Sequence, residues 1–314
     1  MRIKSLSIGR LTLKNNVLVA PLAGFSDSVF RSTCYRLGAG LCFTEMVSAK
    51  GLIFGGDATK KLLLTTDDEY IKAVQIFGDD PEIILKAALT VPEMAAFDII
   101  DVNMGCPVPK VFGNGEGSAL LEKPDLAEKI VKALERTGKV VTVKMRLGVE
   151  KGKPVAVELG KRLVGAGAKM ITLHARYRSE YYSGTPYFDE CAKLKAAVEV
   201  PVIFNGGIMT KEDADEAIKL SGADGVMLAR GALQAPWLIA EILGKPVPDK
   251  NGLVIGHYLR LCDLMGEKQA SINFRKQAAL YLKGVRGGKK LKEKVFSATT
   301  KKEYLEVFEN ADFD

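Results

Sequence analysis

The chain has 314 residues, of which 47% are apolar and 26% charged, and its formal net charge is +7. This length and composition fit a globular protein with one large core, or one core and a small second domain, and argue against a disordered or fibrous chain. No apolar run approaches the roughly eighteen residues that span a membrane. The N-terminus shows no secretory signal and none of the five cysteines forms a C-x-x-C pair, so we expect a cytoplasmic protein with free thiols, no metal and no membrane association.

Eight apolar runs of strand length follow one another through most of the chain. The runs are near-continuous rather than alternating, which is typical of parallel strands covered on both faces. They span residues 16–20, 41–45, 71–76, 99–103, 140–144, 170–174, 202–205 and 225–229.

Segments with helical periodicity lie between most of these runs, at residues 81–95, 125–137, 154–166, 188–198 and 211–221. Eight strands alternating with helices over about 240 residues predict an α/β fold, a (β/α)8 TIM barrel. A doubly wound sheet is the alternative.

The strand signal stops after Trp237. Residues 244–248 are typical of a linker, and the segments 253–265, 271–285 and 301–308 are predicted helices, interrupted by Gly284, Gly287 and Gly288. We therefore predict a catalytic barrel domain in residues 1–243 and a small all-helical C-terminal domain in residues 250–314.

Residues suited to binding or catalysis stand at the ends of the predicted strands. In a barrel these ends lie on one rim, where barrel enzymes place their active sites. A single polar residue at a strand end is usually a satisfied turn residue, but a succession of them favours a site. In chain order the ends carry Pro21, Glu45, Gln75, Asn103 with Cys106, Lys144 with Arg146, His174 with Arg176, Asn205, and Arg230.

The turns after the last two strands, residues 205–207 and 229–231, are rich in glycine. At this corner barrels commonly bind a phosphate through backbone N–H groups, and Arg230 could add a bidentate contact. The competing interpretation is two ordinary tight turns. Nearby, Lys144 could stabilise negative charge on a bound ring such as flavin or form a Schiff base. Gln75 suits a ring imide, and His174 is a ligand contact or a structural hydrogen-bonding residue.

Cys106 lies between Gly105 and Pro107 at a strand end, away from any periodic apolar face. A cysteine is most often a small buried apolar residue. A thiol of ordinary pKa, about 8.5, is mostly protonated at neutral pH and can act as a general acid. Both interpretations remain open on the residues alone.

Residues 275–302 contain ten Lys or Arg and one acid, Glu293, which gives this segment about +9 and leaves about −2 for the rest of a +7 chain. Such a run is usually a solvated helical face. The alternative is a surface that binds nucleic-acid phosphates.

Several motifs together resemble the tRNA-dihydrouridine synthase family, most closely its bacterial B-type branch. The most specific is Asn-Met-Gly-Cys-Pro-x-x-Lys-Val within residues 101–111, and the similarity runs in order from about Lys14 to Trp237 and on through 275–277 and 281–284. The other matching segments are 20–24, 75–78, 143–148, 171–176, 205–208 and 222–230.

The resemblance implies an FMN-bound barrel, NADPH as reductant, and reduction of the C5–C6 double bond of selected uridines in tRNA. Hydride would pass from reduced FMN to C6, and Cys106 would donate the proton to C5. The implied FMN contacts are Pro21, Leu22, Ala23, Gln75, Lys144, His174, Asn205, Gly206, Gly207, Ala229 and Arg230. The implied uracil contacts are Asn103 and Arg146. Basic residues assigned to tRNA are Arg176, Arg178, Arg275, Lys276, Lys283, Arg286, Lys289 and Lys290.

Two positions depart from the family pattern: Gly207, where Asp is common, and Gln277, where the B-type branch usually has His.

The first alternative function is an FMN-dependent barrel oxidoreductase acting on a free pyrimidine, similar to dihydroorotate dehydrogenase. The second is a tRNA-binding folding chaperone with a structural flavin. We expect a monomer.

Overall fold

A computed structural model describes residues 1–55 and 57–313. The strands are β1 (Leu6–Ile8), β2 (Leu11–Leu13), β3 (Val17–Val19), β4 (Leu41–Ser48), β5 (Ala73–Phe77), β6 (Ile99–Met104), β7 (Val140–Arg146), β8 (Ile171–His174), β9 (Val202–Asn205) and β10 (Gly225–Leu228).

The α-helices are α1 (Ser28–Arg36), α2 (Ala49–Phe54), α3 (Asp57–Lys60), α4 (Pro81–Thr90), α5 (Pro109–Gly113), α6 (Pro124–Glu135), α7 (Ala156–Gly165), α8 (Phe188–Ala197), α9 (Lys211–Ser221), α10 (Arg230–Gln234), α11 (Leu238–Ile242), α12 (Lys250–Met265), α13 (Glu267–Tyr281), α14 (Gly288–Ser297) and α15 (Lys301–Glu309). Short 3-10 helices span Lys61–Leu63, Pro92–Ala96, Gly117–Glu122 and Arg178–Glu180.

Strands β3 to β10 form a closed barrel in sequence order, and β10 pairs with β3. Every neighbouring pair in it is parallel, and each connection carries one or more helices. The predicted (β/α)8 barrel is therefore confirmed, and the doubly wound alternative is wrong because the sheet closes on itself.

The barrel interior changes from apolar to polar along the strands. Successive residues of a strand point to opposite faces, so every second residue faces inward. At the start of the strands the inward positions, including Ile99 and Val140, belong to one buried apolar cluster. The later inward positions on the same strands are Asp101 with Asn103 on β6 and Thr142 with Lys144 on β7. The sequence thus places its polar residues at the carboxyl end of the barrel.

An antiparallel hairpin of β1 and β2 precedes the barrel, in a segment where the sequence pattern predicts no strand. Its inward residues Leu6, Ile8 and Leu13 are buried in the same apolar cluster as the barrel interior. Two three-residue strands are too short for a periodic signal. The hairpin supplies apolar side chains to the bottom of the barrel, so the site has to lie at the other end.

Two predicted strand ends are too early by two or more residues. Strand β4 continues past Glu45 to Ser48, and β7 continues to Arg146. Polar residues at these positions end the apolar run without ending the hydrogen-bonded ladder, which makes periodicity a poor guide to strand ends.

Helices α12 to α15 surround a second buried cluster that includes Tyr258, Phe274 and Tyr304, and Trp237 and Val29 of the barrel region join it. Helix α14 lies in the basic segment, where the sequence pattern shows only glycine interruptions. Its apolar content is small, with Val295 as its buried apolar residue. Each helix of the described residues is too short or too polar to cross a membrane.

Candidate active site

A cavity of about 640 Å³ opens at the carboxyl end of the barrel strands. This volume is in the range of small-molecule and cofactor sites. Cys106, Asn103, Arg146 and Arg176 line it, together with every residue predicted to contact the cofactor: Pro21, Leu22, Ala23, Gln75, Lys144, His174, Asn205, Gly206, Gly207, Ala229 and Arg230. The structure therefore brings together residues that lie as far apart as 21 and 230 in the sequence.

The glycine-rich corner leaves its backbone open to the cavity. Gly206 and Gly207 have φ values of +134° and +74°, which L side chains rarely adopt. A Cβ on Gly206 would lie 3.0 Å from Nη1 of Arg176 and 3.2 Å from Cδ2 of His174. Glycine is thus required by both conformation and space. Arg230 is exposed beside this corner.

Lys144 points into the cavity from β7 and donates a 2.9 Å hydrogen bond to Oδ1 of Asn205. Asn205 is held in turn, because its Nδ2 donates to the carbonyl of Met227 at 2.8 Å. Burial, and secondarily the charge of Arg146, lowers the pKa of Lys144 to about 8. At neutral pH this lysine is a desolvated cation, suited to stabilising an anionic ligand atom.

Four polar side chains form a hydrogen-bonded chain from the barrel interior to the Cys106 turn. Thr142 Oγ1 and Gln75 Nε2 each donate to the Asp101 carboxylate at 2.7 Å. Asn103 Nδ2 donates to Gln75 Oε1 at 2.7 Å. Asn103 Oδ1 then accepts the backbone N–H groups of residues 105 and 106, at 3.1 and 2.9 Å. Asp101 is buried, and burial raises its pKa to about 6.

Cys106 follows β6 at the cavity wall and is 9% exposed. Burial raises the pKa of its thiol, partly offset by the backbone N–H of Val108 and the charge of Arg146. The thiol is therefore neutral and able to donate a proton at physiological pH. Arg146 supports the same turn, because its Nε donates to the carbonyl of Gly105 at 2.9 Å.

His174 is neutral, because burial and the surrounding cations, Arg146 foremost, lower its pKa well below 6.5. Its Nε2 lies 3.3 Å from Nη1 of Arg176, and since a guanidinium only donates, Nε2 is the acceptor. The remaining donors of Arg176 hold the loop after β8, with bonds of 3.0 Å to the carbonyl of Ser183 and 2.7 Å to that of Gly184.

Tyr182, in this loop, belongs to the site although the sequence does not point to it. Its ring stacks 6.2 Å from the His174 ring and lies 5.6 Å and 5.5 Å from the guanidinium carbons of Arg146 and Arg230. The preceding Tyr181 has a φ of +51°, and its carbonyl accepts from Arg146 at 2.8 Å. No periodicity marks this segment, so only long-range contacts place Tyr182 over the cavity.

Met46, Phe77 and Asp101 also escape prediction from the sequence. Met46 and Phe77 line the cavity, and each lies one residue beyond the point where the apolar pattern ends its strand. Asp101 could have been found, since it shares an inward face with Asn103 two residues later.

The basic residues assigned to tRNA lie in different surroundings. The guanidinium of Arg178 lies 3.7 Å from the centre of the Phe112 ring. Arg275 donates to the carbonyl of Ala298 at 3.2 Å. Lys276 is exposed on α13, 4.9 Å from the Phe25 ring, and Phe25 lines the cavity. The other four basic residues assigned to tRNA follow α13 and are exposed: Lys283, Arg286, Lys289 and Lys290.

Among the described residues no group of three or more His, Cys, Asp or Glu side chains is arranged to hold a metal. The fold and the cavity define a (β/α)8-barrel enzyme whose rim carries a buried cation, a protonated thiol and a glycine-rich corner.

The sequence model of the dihydrouridine synthase (Dus) family matches residues 18–313, so the chain belongs to this family. It is 37% identical over 292 residues to "Probable tRNA-dihydrouridine synthase" of Rickettsia conorii, covering 89% of this chain and 88% of that protein. It is 34% identical over 313 residues to "tRNA-dihydrouridine synthase B" of Pasteurella multocida, covering 96% and 94%.

Solved structures share the fold at low sequence identity. The old yellow enzyme homologue of Zymomonas mobilis superimposes with a TM-score of 0.59 at 15% identity, over 78% of this chain and 93% of that one. Morphinone reductase gives a TM-score of 0.56 at 15% identity, over 79% and 91%.

Proposed function

We propose that this protein is a tRNA-dihydrouridine synthase that reduces the C5–C6 double bond of uridines in tRNA with FMN and NADPH. Family membership supports the activity, and the carrying observation in the structure is the Cys106 thiol. It is held in the neutral form at the wall of a cavity that also contains Lys144 and the glycine-rich corner.

The cavity fits FMN in three respects. The corner at Gly206 and Gly207 has no room for side chains and offers backbone N–H groups, as a phosphate requires, with Arg230 beside it. Lys144 is a half-buried, desolvated cation, placed where it could face the negative charge at the pyrimidine end of a flavin. The residues at 20–23 provide a largely apolar wall.

FMN held by these residues, with NADPH as its reductant, would supply hydride chemistry at C6 of the uracil. The protein supplies the proton: the S–H bond of Cys106 breaks as a C–H bond forms at C5, which leaves a thiolate. Arg146 and Lys144 are the nearby cations that stabilise this thiolate.

Asn103 and Arg146 would hold the uracil edge. Asn103 accepts two backbone N–H groups through Oδ1 and donates from Nδ2 to Gln75. The other Nδ2 hydrogen makes only a weak 3.8 Å contact with Sδ of Met46, which a uracil carbonyl oxygen would replace. Arg146 uses Nε and Nη1 to hold backbone carbonyls, so Nη2 is its free donor group for substrate among the described contacts. Each residue would thus both shape the site and contact the base.

The helical region would bind the tRNA backbone. Lys289 and Lys290 stand in the first turn of α14, which contains no acid. Cations at a helix N-terminus are unfavourable for the helix dipole, and their presence there concentrates positive charge. A phosphate-binding surface on α14 explains this arrangement. Helix α13, which precedes α14 in the chain, lies beside the cavity, because its Lys276 contacts the ring of Phe25.

The direct test uses tRNA from a strain that lacks its dihydrouridine synthases. Purified protein should contain FMN, and with NADPH it should convert specific uridines to dihydrouridine, measured by nucleoside mass spectrometry. Orotate and free uracil serve as substrates for the alternative free-pyrimidine reaction. Turnover of either one without activity on tRNA would overturn the proposal.

A further inference from the structure

Asp101 does not line the cavity itself, yet it lies at the base of the hydrogen-bonded chain that reaches the Cys106 turn. It is 1% exposed, and Lys144, the cation that acts on it electrostatically, is hydrogen-bonded to Asn205 instead. Its side-chain partners are Thr142 and Gln75, both at 2.7 Å. A buried carboxylate that is not neutralised by direct contact is costly to the fold, so its retention needs a reason.

The donor and acceptor groups of the hydrogen-bonded side chains supply that reason. A carboxamide has one donor end and one acceptor end, so it can bind in either of two orientations. An ionised carboxylate only accepts, so Asp101 forces Nε2 of Gln75 toward itself. The Oε1 of Gln75 then faces Asn103, whose Nδ2 must donate to it.

The orientation of Asn103 decides how the turn is held. With Nδ2 directed to Gln75, Oδ1 is directed to the N–H groups of Gly105 and Cys106 and accepts both. If both carboxamides turned over, Asn103 would present N–H groups to these two backbone donors. The turn would then lose both bonds and be repelled.

We propose that Asp101 is a positioning residue: through Gln75 and Asn103 it sets the orientation of two carboxamides and thereby holds the Cys106 turn in its reactive position. The role deepens the proposed function, because it concerns the group that would donate the proton. Asp101 would position the Cys106 thiol in the same way even if that thiol took part in a different reaction.

The test measures the reactivity of the Cys106 thiol rather than turnover. FMN-saturated protein is treated with iodoacetamide at neutral pH, and alkylation at each cysteine is followed by mass spectrometry, so that the partly exposed Cys262 does not interfere. Flavin content and thermal unfolding are measured on each variant to exclude loss of cofactor or fold.

Asp101→Leu removes the acceptor, and Cys106 should be alkylated at least about fivefold faster as the turn loosens. Thr142→Val removes the other bond to Asp101 and leaves the links from Asp101 through Gln75 to Asn103 in place, so its alkylation rate should stay within about twofold of the parent protein. The variant Gln75→Met breaks the chain one link later and should match Asp101→Leu, which keeps the test valid if the latter does not fold.

The decisive variant is Asp101→Asn combined with Gln75→Glu. A carboxylate at position 75 only accepts, so it should again orient Asn103 correctly, with the amide at position 101 donating to it. Alkylation should return to within about twofold of the parent rate. Parent-like reactivity in folded, flavin-loaded Asp101→Leu would overturn the proposal, as would a double variant that reacts as fast as Asp101→Leu. If the alkylation rates follow the expected order but the parent protein does not reduce tRNA, the proposed function is contradicted and the positioning role of Asp101 is not.

Discussion

Cys106 and Lys144 face the same cavity, and burial acts on both through desolvation. It disfavours the charged form of each group, which raises the pKa of the thiol and lowers that of the ammonium group. At neutral pH the thiol keeps its proton, while Lys144, with a pKa of about 8, keeps most of its charge. The site thus combines a protonated thiol with a poorly hydrated cation, the two groups that the proposed reduction of a polar double bond needs.

The first prediction at this scale concerns the proton donor. Cys106→Ala should retain FMN, because the thiol is one wall residue among many, and should lose dihydrouridine formation by about 10²- to 10⁴-fold. The measurement is mass spectrometry of tRNA nucleosides with flavin absorbance alongside. Cys262→Ala, in the helical region, is the matched control and should keep parent activity. Full activity of Cys106→Ala would remove the proton-donor role.

A second residue-level prediction concerns His257, which is buried and lies 2.8 Å from the Tyr281 hydroxyl. Burial, and secondarily the charge of Arg260, lowers its pKa to about 3. The unfolded chain protonates this histidine near pH 6.5, so between about pH 6.5 and 3 the unfolded state binds more protons and stability falls as pH falls. The parent protein should therefore lose up to about 1.4 kcal/mol more per pH unit in this window than His257→Gln does.

Urea unfolding at several pH values from 7.5 to 4.5 checks this expectation, with both proteins compared at each pH. Other groups, such as Asp101 and His174, contribute equally to both proteins and cancel in the difference. Parallel pH profiles for the two proteins would show that His257 does not titrate on unfolding.

At the scale of elements, the parallel register of β6 and β7 sets the site. Asn103 pairs with Lys144 and Met104 with Met145, so the amide and the ammonium group enter the cavity side by side. The loop after β8 then covers them. It depends on Arg176 and Arg146, whose guanidinium groups hold the carbonyls of Ser183, Gly184 and Tyr181.

The prediction at this scale is that Arg176→Met loosens the loop. Without its bonds to the carbonyls of residues 183 and 184, chymotrypsin should cleave after Tyr181 or Tyr182 several-fold faster, at about the same global stability. Arg162→Met is the control, since it removes a half-exposed arginine on α7 with only surface ion pairs. An unchanged cleavage rate would show that Arg146 and the other contacts hold the loop without Arg176.

At the scale of the whole molecule, α13 connects the basic helices to the catalytic cavity. Lys276 on this helix lies over Phe25, a wall residue of the cavity. A second cavity of about 670 Å³ lies between α12, α13 and the barrel residues at 24–28. If the basic helices bind tRNA as proposed, the bound tRNA would reach the mouth of the barrel without a long span, and the target base would have to leave its stack to enter.

The prediction at this scale is electrostatic. Replacing Lys289, Lys290, Lys292 and Lys294 with Gln should weaken tRNA binding and reduce the slope of log affinity against log salt by about one unit for each phosphate that is no longer neutralised. Filter binding over a range of salt concentrations measures both. The control replaces exposed lysines on the barrel helices: Lys86, Lys129, Lys132 and Lys219. Equal effects of the two sets would mean that only net charge matters.

The sequence alone determined the barrel and most of its rim. Near-continuous apolar runs alternating with helices favour parallel strands covered on both faces, and in a barrel the polar residues at the strand ends lie on one rim. The motif around Cys106 and the glycine-rich corner indicated the family, and the family match confirms it. The roles of individual rim residues and of the basic segment stay predictions.

The tertiary structure decided what depends on distance across the barrel. Protonation states at the rim follow from burial, which no local pattern reports. Tyr182 reaches the cavity on a loop whose backbone carbonyls accept hydrogen bonds from Arg146 and Arg176. The role of Asp101 rests on contacts between β5, β6 and β7, whose residues lie 26 and 41 positions apart. A carboxylate in an apolar run shows that something must satisfy it, but only the closed barrel shows which side chains do.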